Sequence, residues 1–199
     1  MLVFWKERLV ILSVPKTGSS ALEAALAADA SIAVTAPPEL KHAPIYRYNR
    51  FFRPMFERVG APEMEIVAVV REPIDWLGSW YRYRQRDFLR GRPESTADVS
   101  FDDFCHAYAS GDRPAFAQVG SQAKFVEPRP NGVAVTHLFR YEALSALTHF
   151  LEARLGRPVA LPRANVSPRA PLALSPATEA RLRRHCAADF AVWEGARVS

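Results

Sequence analysis

The chain has 199 residues, with 26 Lys+Arg against 21 Asp+Glu and a formal net charge of +5. Apolar residues make up 49% and charged residues 24%, which excludes a disordered or fibrous chain and suits a folded domain with one proper core. No apolar run approaches the roughly 20 residues of a membrane-spanning helix, and the basic excess leans toward anionic ligands while the scattered arginines give no reason to expect nucleic acid.

The N-terminal MLVFWKERLV is an apolar patch broken by Lys6, Glu7 and Arg8. It lacks the apolar block and cleavage site of a signal peptide, so none is expected. LVILSVP (9–15) reads as a buried strand, short, β-branched and apolar on both faces. Residues 19–28 predict a helix that opens on small hydroxylated residues. SIAVTA (31–36) is a candidate second strand. APIYRYNRFFRPMFERV (43–59) predicts a helix that Pro54 kinks or divides. EIVAVV (65–70) is the second clear buried strand, and the helix predicted over 72–89 carries Pro73 at its first position, where proline is tolerated. Ser100 opens a short helix over 100–109, and GVAVTHLFR (132–140) reads as a third strand. An amphipathic helix over 141–156 ends at Gly156. The last helix, 175–193, has Ser175 as cap and Pro176 at its first position. The densest basic groups, YRYRQRDFLRGR (81–92) and RLRRH (181–185), fit solvated helix faces.

Strands alternating with helices predict a single α/β domain over 1–199, a three-layer sandwich around a central, mostly parallel sheet. Ligands gather at the carboxyl ends of the strands in such sheets. That rule selects the loops after Val14, Val70 and Phe139. The two cysteines, Cys105 and Cys186, are far apart and in no metal-ligand spacing. They read as free thiols in a reducing cytoplasm.

The first loop, Pro15-Lys16-Thr17-Gly18-Ser19-Ser20, runs straight into a helix start. Unpaired N–H groups and the positive dipole end lie there. Gly18 permits close backbone approach, Lys16 adds a charge, and Thr17, Ser19 and Ser20 add hydroxyl donors. Together they suit a phosphate or sulfate cradle, against the plainer reading of an ordinary capped helix. The pattern is not that of the nucleoside triphosphate loop, because the lysine precedes the glycine. The second strand ends on Arg71 rather than an aspartate, and Ser79 lies eight residues further on. Either the two hold a second phosphate, or Arg71 pairs with Glu72 or Asp75 and Ser79 packs.

Taken together, PKTGSS and REPIDWLGS resemble the 5′-phosphosulfate loop and the 3′-phosphate motif of sulfotransferases that use 3′-phosphoadenosine 5′-phosphosulfate (PAPS). LFRYEAL (138–144) and RANVSP (163–168) fit bacterial and carbohydrate-type members more loosely. The resemblance implies a fold like the P-loop NTPases. It implies transfer of a sulfuryl group to an acceptor hydroxyl, with the bisphosphate PAP as product and no metal. Lys16 would then stabilise the bridging oxygen. Thr17, Gly18, Ser19 and Ser20 would hold the 5′-phosphate, and Arg71 with Ser79 the 3′-phosphate. Many relatives carry a lysine–histidine segment near this place, which makes His42 the expected base, with Glu23 and Glu142 as fallback carboxylates and Lys41 as an aid to the sulfuryl group. His106, His149 and His185 fall in predicted helices, and His137 in a strand.

The resemblance implies a small-molecule or glycan acceptor. PIYRYNRFFRPMF (44–56), with Tyr46, Tyr48, Phe51 and Phe52 among Arg47, Arg50 and Arg53, suits a sugar or an anionic glycan, and fits an amphipathic helix on the core rather better. Trp76, Trp80 and Tyr83 recur at helical spacing, which is usually packing, though one of them would suit the adenine. The competing readings are a small-molecule kinase of related fold and a non-catalytic protein that binds a bisphosphate nucleotide.

Overall fold

In the computed structural model, which describes residues 1–61, 63–162 and 172–198, the N-terminal apolar patch is a hairpin. β1 (Leu2–Phe4) runs antiparallel to β2 (Leu9–Ile11), and the residues between them form the turn. Lys6, Glu7 and Arg8, which break the apolar pattern, therefore mark where the chain reverses. β3 (Ile32–Ala33) pairs antiparallel with β1. β4 (Glu65–Val70) lies parallel to β2, and β5 (His137–Arg140) parallel to β4. The order across the five-stranded sheet is β3-β1-β2-β4-β5. The protein is thus α/β, but the expected mostly parallel sheet is corrected to a mixed one. The cause is the hairpin, which puts two antiparallel pairings on one side of β2. The third strand is also shorter than expected, because Arg129 N–H bonds the Val133 carbonyl at 2.8 Å and bends the chain before β5.

Helices fill the connections. They are α1 (Ser19–Leu26), α2 (Pro38–Lys41), α3 (Ile45–Arg47), α4 (Arg53–Arg58) and α5 (Pro73–Arg84). α6 (Phe101–Tyr108), α7 (Gln122–Val126), α8 (Leu144–Leu155), α9 (Pro176–His185) and α10 (Ala187–Glu194) follow. Between α3 and α4 the chain widens into a π-helical turn, Tyr48–Phe52, where Arg53 N–H reaches back to the Tyr48 carbonyl. Pro54 has no N–H to donate four residues back and its ring crowds that carbonyl, so the turn ahead of it opens. The expected kink takes this form. The expected final helix is likewise two, broken at Cys186. RANVSP (163–168) lies outside the described residues.

The described residues fall into two compact units. The first comprises those within Met1–Arg71, Gln122–Asn165 and Gly195–Ser199, the second those within Glu72–Ser121 and Val166–Glu194. The first holds the sheet. Leu2, Phe4, Leu9, Ile11, Val67, Val69 and Phe139 point to one face and pack on Leu22 and Leu26 of α1 and on Leu147 and Leu151 of α8. Val3, Val10, Ile66, Ala68 and Val70, on the alternate positions, are buried as well. Burial on both faces explains why these strands read as continuous apolar runs. The second unit has its own core, in which Trp76, Leu77 and Tyr81 of α5 meet Phe101, Phe104 and Tyr108 of α6 and Leu182 of α9.

Candidate functional site

The chain leaves β2 through Leu12, whose N–H still bonds the Val67 carbonyl at 2.8 Å, and reaches α1 by way of Lys16 and Gly18. Both adopt left-handed backbone, at φ +66° and +81°. Glycine does so freely, whereas a lysine there costs about 1–2 kcal/mol. Strain of that kind collects where a site needs the side chain. Gly18 caps α1 without a side-chain hydrogen bond. The first N–H groups of the helix and the positive end of its dipole therefore face the loop. A Cβ on Gly18 would stand 3.2 Å from Cε2 of Tyr141, so conformation and space both demand glycine.

Thr17, expected to help hold the 5′-phosphate, sits within the loop. It is buried, and its Oγ1 donates to the Val14 carbonyl at 2.9 Å. That hydroxyl proton braces the loop instead of facing a ligand. Ser19 is buried and Ser20 half-buried on the first turn of α1.

Arg71 leaves the tip of β4 toward the same loop. Its Nη1 donates to the Lys16 carbonyl at 3.3 Å, and its guanidinium carbon lies 4.4 Å from the centroid of the Tyr141 ring. Gln122, buried at the start of α7, holds the Arg71 backbone in both directions. Its Oε1 accepts from Arg71 N–H and its Nε2 donates to the Arg71 carbonyl, each at 2.8 Å. A carboxamide here takes the place of a neighbouring strand. Tyr141 directly follows β5, so the tips of all three parallel-paired strands supply the site. Ser79 is not among the residues gathered in this unit; it is buried on α5 in the second.

His42 caps the C-terminal end of α2, and its Nδ1 lies 2.7 Å from the carbonyl oxygen of Ser13, on the stretch between β2 and the loop. A carbonyl only accepts, so Nδ1 carries the ring proton and Nε2 presents a lone pair. Burial, aided by the charge on Lys41, holds the ring's pKa below its ordinary value, while the Ser13 carbonyl and Glu23 oppose that shift. The Met1 amino group donates to Ser13 Oγ at 2.9 Å and to the carbonyls of Val34 and Lys41 at 3.1 Å, which fixes this corner further.

Lys41 Nζ and Glu23 Oε2 form an ion pair at 2.5 Å, so the expected aid to the sulfuryl group and the first fallback carboxylate neutralise one another. Glu142 is exposed in the turn Tyr141–Ala143. His106, His149 and His185 are exposed on helices, while His137 bonds Glu65 through Nε2 at 2.5 Å. In the aromatic stretch Tyr48 and Phe56 are buried, whereas Tyr46 and Phe51 stay exposed. Each exposed ring has the guanidinium of the adjacent arginine, Arg47 or Arg50, near its face.

Lys16, Arg71 and the N-terminus of α1 meet at one loop as donors that suit an anion, and the His42 imidazole hydrogen-bonds Ser13 on the stretch leading into that loop. No family model matches the chain. No curated protein is similar to it. The chemistry therefore rests on this geometry and on the sequence pattern. Two contributors escaped the sequence reading. Tyr141 sat at a strand tip that the topology rule had selected but was absorbed into the following helix. Gln122 lies in a stretch with no pattern to flag it.

Proposed function

We propose that this protein is a PAPS-dependent sulfotransferase that moves a sulfuryl group to an acceptor hydroxyl, possessing the phosphosulfate and 3′-phosphate loops that its sequence resembles. The observation that supports the reading is the 3.3 Å contact between Arg71 Nη1 and the Lys16 carbonyl, which joins the arginine that opens the second motif to the first loop within one unit. Had they stood apart, no single doubly phosphorylated nucleotide would span them. A P-loop-like architecture belongs to the same proposal.

Bound PAPS supplies an activated sulfuryl group. Lys16 neutralises charge that develops on the bridging oxygen as its bond to sulfur breaks. The N–H groups at the start of α1, with Ser19 and Ser20, grip the 5′-phosphate. Arg71 provides the charge that favours a 3′-phosphate. His42 Nε2 receives the acceptor's hydroxyl proton while the acceptor oxygen bonds to sulfur. Positioning does most of the work, as in phosphoryl transfer. The exposed Tyr46 and Phe51 beside arginines make a glycan hydroxyl a suitable acceptor.

Calorimetry with PAP against AMP tests the reading. At least a tenfold preference for the bisphosphate, about 1.4 kcal/mol, is expected from one extra charge-assisted phosphate contact. Arg71→Ala narrows the gap. Equal affinities, or tighter binding of ATP with magnesium, sink the proposal in favour of a kinase.

A further inference from the structure

We infer that Tyr141 is a positioning residue that holds the Arg71 guanidinium beside the loop 15–20 and thereby sets how tightly Arg71 grips an anion. This rests on the anion-binding part of the proposed function and extends it to the third strand tip.

The Tyr141 ring serves two neighbours at once. Its face lies under the Arg71 guanidinium, 4.4 Å from centroid to carbon, inside the roughly 6 Å range of cation–π attraction. Its Cε2 edge lies where a Gly18 Cβ would come within 3.2 Å, so the ring also abuts the loop after β2. Arg71 needs such a platform. Its backbone is pinned by the two Gln122 hydrogen bonds, each 2.8 Å, so where the guanidinium lies is set by the side chain's own contacts. Arginine side chains hold much rotamer entropy, and ordering one on binding weakens affinity. The ring and the Lys16 carbonyl, 3.3 Å from Nη1, order it beforehand. The aromatic face performs this role, so phenylalanine should replace tyrosine while an aliphatic side chain should not.

The test uses Tyr141→Phe and Tyr141→Leu, each alone and with Arg71→Ala, titrated with PAP and separately with inorganic sulfate. Tyr141→Met, unbranched and longer than leucine, substitutes if the leucine variant does not fold. Tyr141→Phe should bind both probes within about twofold of the parent, and Tyr141→Leu about tenfold more weakly. In the Arg71→Ala background the leucine change should have almost no further effect. In the ligand-free protein, the Arg71 Nε–H resonance should show a ring-current shift that survives Tyr141→Phe and vanishes in Tyr141→Leu. An undiminished tenfold loss without Arg71, or an unchanged Arg71 resonance in Tyr141→Leu, overturns the inference. Sulfate bound with this Tyr141 dependence but no PAP bound sinks the sulfotransferase reading and leaves the inference standing. PAP bound regardless of Tyr141 does the reverse, and binding of neither probe overturns both.

Discussion

Burial at His42 opposes the imidazolium, so the ring keeps its lone pair to a lower pH than the ordinary value of 6.5. The sign follows directly. A depressed pKa in the folded state contributes stability that is present above the unfolded value and lost as pH falls through the folded one. The same titration governs a base, which fails when Nε2 takes a proton. Sulfuryl transfer should therefore hold a plateau through neutral pH and decline only below 6.5. His42→Ala should bind PAP normally and abolish turnover, whereas normal turnover in that variant would move the base elsewhere. Lys16 and Arg71 were legible as candidates because charged groups beside strand ends and a glycine-bearing turn form a local pattern, and His42 because its lysine–histidine segment resembles that of the sulfotransferases. Gln122 was not, because its bonds to Arg71 cross 51 positions and no local spacing encodes them. The bond from the Thr17 hydroxyl to the Val14 carbonyl was hidden for a related reason: a hydroxyl that faces a ligand and one bonded to a nearby carbonyl look alike until the backbone is traced.

Two glycines separate local backbone demand from tertiary demand at the scale of the element. Gly156 ends α8 at φ +66° with nothing within 4 Å of a Cβ added there. Gly18 opens α1 at φ +81° with Tyr141 in the way. Alanine at either position should destabilise by about 1–2 kcal/mol from left-handed strain, measured by denaturant unfolding. Gly18→Ala alone should also weaken anion binding, since the ring or the loop must give way; an equal loss of binding in Gly156→Ala would refute that distinction. Long elements with clear patterns were readable. β4 spans the EIVAVV run end to end, and α6 and α9 begin where Ser100 and Ser175 accept from the N–H groups of Asp103 and Thr178. β1 was hidden because three residues followed by charges do not announce a strand. The π-helical turn before Pro54 was hidden because sequence marks the obstruction without saying how the backbone relieves it.

Across the whole molecule, burial is divided between two cores, and both cysteines fall in the second. Cys105 and Cys186 are free and buried, and burial raises both thiol pKa values, that of Cys186 to about 12. Thiolate is the reactive form. Neither cysteine should label with a thiol reagent in the native protein at pH 8, and both should label once the second core opens in denaturant; rapid native labelling would contradict the described packing. In the first unit Glu65 bonds His137 on the neighbouring strand and Arg154 on α8, tying residues 72 and 89 positions away to the start of β4. The fold class was legible as α/β because alternation of apolar runs survives small errors of boundary, whereas strand direction depends on a hairpin that few residues encode. The sheet's borders follow from the same arrangement. On one side its outermost strand, β3, is only two residues long, and on the other Arg197 lies along β5, its N–H on the Leu138 carbonyl at 2.8 Å and its carbonyl on Arg140 N–H at 3.1 Å. A foreign chain in search of unpaired amides would find almost no ladder to extend, which protects a crowded solution of this protein against fibrous stacking.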